Sequence, residues 1–220
     1  MGTDNLFHKR KAKKLARQKA NRKPYDKVLI VCEGEKTEPN YFKELKDYCK
    51  LDSATITGDC GSSPMNVVDY AWDIYCEAEK AGDAFDRVFC VFDKDAHGDY
   101  QAAIDKLTRM RPRKVFEAIT SVPCFEYWLL LHFDYTDRPF HATGKNSIAG
   151  MVLQELKQKW PEYEKAVHGA FEQRLRQLEY AKTNAARALK TAQANGTDNP
   201  CTQIHELVDY LQNLKNKLKK

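Results

Sequence analysis

The sequence predicts an α/β protein in which helices cover both faces of a mostly parallel sheet, followed by a C-terminal helical region. Two short apolar runs, at residues 27–31 and 87–92, have the length and composition of strands that are buried on both faces. Similar runs alternate with segments of helical periodicity over short connections. This alternation is typical of parallel sheets, because each helix carries the chain back to the edge where the next strand begins.

The first half of the chain contains the predicted strands and the helices that connect them. Thr37 and Pro39 are typical of a helix start, and Tyr41, Phe42 and Leu45 then recur at helical spacing. The predicted strands are residues 27–31, 54–57, 87–92 and 114–120, and the predicted helices begin near residues 37, 64, 100 and 123.

Helical periodicity dominates from about residue 146 to the end. Residues 148–159 and 200–218 are predicted helices. Residues 163–194 form either one long helix or two helices joined near Gly169. The preceding segment, residues 134–145, is rich in turn-forming residues and is predicted to be a loop near the functional site.

Charge and periodicity divide the chain into a basic arm (residues 1–23), an α/β domain (24–135) and a helical region that packs on it (136–220). The arm holds nine of the 36 Lys and Arg but only one of the 31 acidic residues, which leaves 27 basic and 30 acidic residues elsewhere. Such an arm either contacts nucleic-acid phosphates or is a solvated tail, and charge alone does not separate the two. The candidate contacts in the arm are Lys9, Arg10, Lys13, Lys14 and Arg17.

Composition argues against a membrane protein or an exported one. No apolar run approaches the length of a membrane-spanning helix, and the first residues lack the apolar core of a signal peptide. The seven cysteines are odd in number and include no C-x-x-C pair, which favours free thiols in a reducing compartment. We therefore expect a cytoplasmic protein.

Acidic residues follow the first and third predicted strands directly. Glu33 follows the first strand, and Asp93 and Asp95 follow the third with one residue between them. Because ligands of open α/β sheets bind beyond the carboxyl ends of the strands, these carboxylates are predicted to converge. Crowded carboxylates repel one another unless a cation lies between them, and their oxygen atoms suit Mg²⁺ or Mn²⁺. The sequence therefore predicts a divalent metal site here.

A further carboxylate, Glu126, stands inside the strongly apolar segment 123–133. Pro123 favours a helix start, which places Glu126 in the first turn. An acidic residue in such a segment costs free energy unless it is paired or bound to metal, although the helix dipole offsets part of the cost. Two interpretations stay open with similar weight: Glu126 caps its helix, or it belongs to the metal site.

Four segments carry a resemblance to a known family: VLIVCEGEKTEPNYF (28–42), VFCVFDKDAH (88–97), PCFEYWLLLHF (123–133) and NPCTQIHELVDYL (199–211). In this order they resemble the RloB-like family, Toprim-like proteins of bacterial and archaeal defence loci. The resemblance implies a Toprim fold, a compact parallel sheet between helices. It also implies an ABC- or SMC-type ATPase as partner and a role in abortive infection.

The resemblance also implies roles for individual residues. In Toprim enzymes a glutamate after the first strand acts as general acid or base, and two aspartates in a D-x-D motif bind divalent metal. Those roles fall on Glu33, Asp93 and Asp95, with Glu126 as an additional metal ligand. The neighbouring loop cations are candidate contacts to a scissile phosphate, or else ordinary solvated residues: Lys36, Lys94 and His97.

Taken together, the sequence predicts a Mg²⁺- or Mn²⁺-dependent Toprim endonuclease that cleaves DNA or RNA as an effector of antiphage defence. Phosphodiester cleavage needs a cation that stabilises developing charge and a group that handles a proton, and the strand-end carboxylates provide both. Two alternatives stay open. The chain could be a catalytically silent scaffold that binds an ATPase, or a nucleotidyl-transfer enzyme.

Overall fold

The computed structural model describes residues 24–61, 63–94 and 98–216, which adopt the predicted α/β fold. The strands in this part are β1 (Val28–Cys32), β2 (Ala54–Thr57), β3 (Arg87–Asp93), β4 (Phe116–Val122) and β5 (Cys201–Thr202). The α-helices are α1 (Thr37–Tyr48), α2 (Pro64–Lys80), α3 (Tyr100–Arg109), α4 (Phe125–Leu130), α5 (Ile148–Lys159), α6 (Ala170–Arg174), α7 (Leu178–Ala194) and α8 (Ile204–Gln212). Short 3-10 turns follow α6 and α8, at Leu175–Gln177 and Leu214–Asn216.

The strands form one sheet in the order β2-β1-β3-β4-β5. The first four strands run parallel, and β5 pairs antiparallel with the end of β4. The chain passes from β1 to β2 on one side and then crosses to β3 on the other side. The strand order therefore reverses between β1 and β3, which is the position where open α/β sheets form a ligand-binding crevice.

The two faces of the sheet bury different sets of helices. Alternation along β1 directs Val28 and Ile30 to one face and Leu29 and Val31 to the other, and all four are fully buried. The first face packs against α1 and the helices from α4 to α8, whereas the second packs against α2 and α3. The described part of the helical region thus shares one apolar core with α1 and the sheet.

A cluster of aromatic rings joins α1 to α4 and α6. The ring of Tyr41 makes edge contacts with Phe125 and Phe171, each with centroids 5.5 Å apart, and with Trp128 at 6.4 Å. Rings in this arrangement stabilise a pair beyond the burial of their area. The cluster consequently holds the first turns of α1 and α4 side by side, at the carboxyl edge of the sheet.

Two predicted boundaries differ from the structure near β4 and β5. The strand predicted from residue 114 begins at Phe116, because Lys114 has φ 69° and so lies in the left-handed region, which a strand excludes. The helix predicted from residue 200 begins at Ile204. Cys201 and Thr202 instead pair with β4, an interaction that local periodicity cannot reveal.

Residues 163–194 do not form one long helix. They do not form two helices joined at Gly169 either, although Gly169 has φ 83° and α6 begins at the next residue. The residues before it form a loop rather than a helix, and a 3-10 turn separates α6 from α7.

None of the described helices is both long enough and apolar enough to cross a membrane. All seven cysteines are free thiols.

Candidate functional site

A cavity of about 490 Å³ lies at the carboxyl edge of the sheet, where β1 and β3 end. We refer to it as the acidic cavity, because among the described residues five carboxylates and two lysines line it. These charged residues are Glu33, Glu35, Lys36, Glu38, Asp93, Glu126 and Lys165.

The structure brings Glu33 and Asp93 together as the strand pattern predicts. The backbone N–H of Glu33 donates to the carbonyl of Val91 at 2.9 Å, which extends the pairing of β1 with β3 by one residue. The side chain then turns back, so that the Asp93 N–H donates to Glu33 Oε2 at 3.0 Å. Parallel pairing of two adjacent strands thus aligns the two carboxylates.

Asp93 lies at the point where β3 meets α4. Its Oδ2 accepts a hydrogen bond of 3.1 Å from the backbone N–H of Phe125, the first residue of α4. Removal from water raises the pKa of Asp93 well above its ordinary value, and the negative charges of Glu38, Glu126 and Glu33 raise it further. Burial and the neighbouring carboxylates together therefore oppose ionisation of Asp93.

Glu38 is a member of the site that the sequence pattern did not single out, because it stands between Thr37 and Pro39 in the predicted helix start. Its residue is 7% exposed, and burial, followed by the charges of Glu126 and Glu33, raises its pKa to about 7. A Cβ on Gly34 would lie 2.0 Å from Glu38 Oε2, so the glycine allows this carboxylate to rest against the loop after β1. The available signal was a third acid in the short run that begins with Glu33 and Glu35.

Glu126 lies in the first turn of α4 and is 4% exposed. The Tyr163 hydroxyl donates to its Oε1 at 3.3 Å, and Lys165 Nζ lies 3.7 Å from the same oxygen. The Glu126 carboxylate raises the pKa of Lys165, which keeps that lysine charged. Glu126 thus faces the acidic cavity, and its partners come from the loop between α5 and α6, which the sequence did not indicate.

The fold places the two described candidate phosphate contacts, Lys36 and Lys94, at different cavities. Lys36 lines the acidic cavity, whereas Lys94 pairs with Asp198 and lies with its Nζ 5.8 Å from the ring centre of Tyr100. Lys94 instead lines a second, more apolar cavity beside Pro123. The other predicted nucleic-acid contacts lie outside the described residues, as does the predicted metal ligand Asp95. These contacts are His97, Lys9, Arg10, Lys13, Lys14 and Arg17.

Within residues 24–61, 63–94 and 98–216, no group of three or more His, Cys, Asp or Glu side chains that could hold a metal ion is present. The carboxylates of the acidic cavity share one space without closing around a single point. Asp95, the second acid of the D-x-D motif, lies outside the described residues.

The fold and the site define an α/β protein with an acidic cavity at the carboxyl edge of a mostly parallel sheet, where the strand order reverses. A family model described as RloB-like protein matches residues 28–211, which include all five strands and every carboxylate of the cavity. The chain belongs to the RloB-like family. Neither the curated proteins nor the solved structures yield a match to it.

Proposed function

We propose that this chain is a metal-dependent nuclease, a Toprim-type endonuclease that cleaves phosphodiester bonds in DNA or RNA. The observation that supports it most directly is the acidic cavity, which collects carboxylates from two strand ends and two helix starts. Carboxylates at this position of an α/β sheet suit a ligand rather than the stability of the fold, because their mutual repulsion destabilises the folded state.

The donor atoms of this cavity suit a divalent cation chemically, and a complete ligand set would need Asp95 in addition to the described carboxylates. Carboxylate oxygens are the ligands that Mg²⁺ and Mn²⁺ prefer. Burial first, and then neighbouring negative charges that a cation would neutralise, raise the pKa values of Glu38 and Asp93. We assign the ligands to Asp93 and Asp95 of the D-x-D motif, with Glu126 and Glu33 as the further candidates. When bound, the cation polarises the phosphoryl oxygen and stabilises the charge that develops in the transition state.

The residues of the chain supply the remaining functions. Glu33, which the Asp93 N–H orients, accepts the proton of the attacking water. Lys36 at the cavity wall contacts the substrate phosphate, and we prefer it to Lys94 for this contact because Lys94 is paired with Asp198.

The setting in which the nuclease acts is also proposed. Membership of the RloB-like family supports a role in antiphage defence, with an ABC- or SMC-type ATPase as partner. The basic arm would bind nucleic acid through its lysines and arginines, because such a charge run attracts the phosphate backbone without sequence preference.

The test is a cleavage assay on plasmid DNA and on bulk tRNA, with Mg²⁺, Mn²⁺ or EDTA, alone and with the neighbouring ATPase. Asp93→Asn and Glu33→Gln are compared with Glu117→Gln, a matched carboxylate that pairs with Arg87 at the opposite end of the sheet. We expect cleavage that requires metal and falls by a factor on the order of 10² or more in the first two variants. We expect the Glu117→Gln enzyme to keep its activity.

Two outcomes contradict this proposal. If neither substrate is cleaved even with the ATPase, and Asp93→Asn still protects cells against phage, the chain is a scaffold. If the protein instead incorporates labelled nucleotides and needs nucleoside triphosphates to do so, it is a nucleotidyl transferase.

A further inference from the structure

The loop between α5 and α6, residues 160–169, is fastened to α1 beside the acidic cavity. The Ala166 N–H donates to Thr37 Oγ1 at 3.0 Å, and Asn40 Nδ2 donates to the Ala166 carbonyl at 3.2 Å. Ala166 itself has φ 67°, a left-handed conformation that non-glycine residues adopt only at a cost. These contacts hold the middle of the loop in one place.

A second pair of contacts holds the end of the same loop. The carboxylate of Glu44, on α1, accepts hydrogen bonds from the backbone N–H groups of Gly169 at 2.6 Å and Phe171 at 2.9 Å. Residues 166–171 are thus held at both ends by α1, and Lys165 lies immediately before Ala166. These contacts fix the position of Lys165 at the acidic cavity.

Lys165 differs in its surroundings from Tyr163, the other residue of the loop that reaches Glu126. Tyr163 is fully buried and donates a hydrogen bond to Glu126, so it serves the packing of the site. The Lys165 side chain is 64% exposed, and the distance of 3.7 Å from its Nζ to Glu126 Oε1 is longer than a hydrogen bond. The ammonium group therefore lies near the Glu126 carboxylate without a hydrogen bond to it, on a side chain that is mostly exposed.

We propose that Lys165 binds a phosphate group of the nucleic-acid substrate at the mouth of the acidic cavity. This inference rests on the proposed nuclease function and adds a binding residue from the helical region. A polyanion that approaches five carboxylates needs a cation at the point of entry, and the largely exposed ammonium of Lys165 lies there. The helical region then has a direct part in recognition, because its loop completes the site.

The proposal predicts that one variant, Lys165→Met, binds nucleic acid more weakly and a divalent cation more tightly. Loss of the ammonium charge weakens binding of nucleic acid, because one phosphate contact is lost. The same loss strengthens binding of a divalent cation, because a positive charge next to Glu126 is removed. A lysine that only supports the local structure would weaken both.

The experiment measures binding of a labelled single-stranded DNA and of bulk tRNA to the full chain, in EDTA, as a function of salt concentration. Binding of Mn²⁺ is measured separately by calorimetry. We expect Lys165→Met to weaken nucleic-acid binding on the order of tenfold and to reduce the slope of log K against log[salt] by roughly 0.7 to 0.9. We expect it to tighten Mn²⁺ binding by about twofold or more.

Two further variants serve as controls. Lys157→Met, which removes an exposed lysine of α5, is expected to behave as the unaltered chain in all three measurements. Lys165→Arg, which keeps the charge, is expected to restore most of the binding and the salt slope.

The outcomes separate this inference from the proposed function. If the unaltered chain binds and cleaves nucleic acid while Lys165→Met binds it with the same affinity and slope, Lys165 has no part in recognition and the nuclease proposal stands. Joint loss of nucleic-acid and Mn²⁺ binding in Lys165→Met also overturns the inference, in favour of a structural role. If the unaltered chain neither binds nor cleaves either probe, both proposals fail together.

Discussion

The two ends of the sheet carry cavities of similar volume and different electrostatic character. The acidic cavity at the carboxyl end measures about 490 Å³, and the cavity at the amino end, beside Arg87 and Glu117, measures about 450 Å³. Volume therefore does not distinguish a functional site from a gap between secondary-structure elements in this molecule.

Arg87, Glu117 and Asp209 at the amino end each have a partner of opposite charge. Arg87 forms an ion pair with Glu117 and lies over the rings of Phe89 at 5.0 Å and Tyr210 at 5.2 Å. The Tyr210 hydroxyl in turn donates to Asp26 at 2.6 Å. Interactions of this kind stabilise the folded state, each by a modest amount.

Charges at the carboxyl end are not matched in this way. Five carboxylates face two lysines across the acidic cavity, counted over the described residues. Burial, followed by the negative charges of their neighbours, raises the pKa of Glu38 and Asp93. The amino end has a milder counterpart in Glu206, whose pKa is raised first by burial and then by Glu117. An excess of one sign in a cavity, rather than the cavity itself, is what marks the carboxyl end as a site for a ligand.

The largest expected effect comes from Gly58, which supports the loops of the carboxyl end. A Cβ at this position would lie 2.2 Å from the Gly34 carbonyl oxygen, so Gly58→Ala has to displace the backbone of the loop after β1. We expect the variant to lower the free energy of unfolding by about 3 kcal/mol, measured by urea denaturation.

Gly98→Ala is the matched control for this variant, because nothing lies within 4 Å of an added Cβ there. We expect a change of less than about 1 kcal/mol. If both substitutions change the free energy of unfolding equally, Gly58 does not pack tightly against the loop after β1.

The second prediction concerns the charge of Glu38. Its pKa is about 7 in the folded state against 4.5 as the ordinary value, so between these values the folded state holds more protons than the unfolded state. The contribution of Glu38 to stability is thus present below pH 4.5 and is lost as the pH rises through 7. Glu38→Gln is therefore expected to stabilise the protein by about 2 kcal/mol at high pH, with little change at low pH.

Urea denaturation in EDTA across this pH range measures the effect, with Glu117→Gln as the control from the amino end. The control is expected to be slightly less stable than the unaltered chain, because it loses the ion pair with Arg87. If Glu38→Gln is less stable than the unaltered chain above pH 7, contacts in the folded state stabilise the ionised carboxylate of Glu38, and the expectation is wrong.

The smallest effect is expected at the amino end itself. Arg87→Met removes the ion pair with Glu117 and the contacts over two rings, and we expect it to lower the free energy of unfolding by about 1 kcal/mol. Arg87→Lys keeps the charge but loses the planar stacking, so it should recover only part of the loss. Neither variant should alter Mn²⁺ binding, measured by calorimetry, and a change in that affinity would show that the two ends are coupled.

The sequence by itself determined the strands that position the site. The apolar runs of β1 and β3 are continuous, and the acids that follow them, Glu33 and Asp93, are local features of the chain. Once β1 and β3 pair as parallel neighbours, their ends meet at one edge of the sheet, and for this reason the proximity of the two acids was predictable.

The tertiary structure alone decided which other residues complete the site. Lys165 and Tyr163 reach Glu126 because the loop that carries them is fastened to Thr37 and α1, across more than a hundred residues of sequence. Glu38 points into the same cavity because Gly34 leaves room for its carboxylate, and β5 forms only because β4 offers an edge to Cys201 and Thr202. Periodicity and capping signals act over a few residues, whereas each of these arrangements depends on contacts between segments that meet only when the chain has folded.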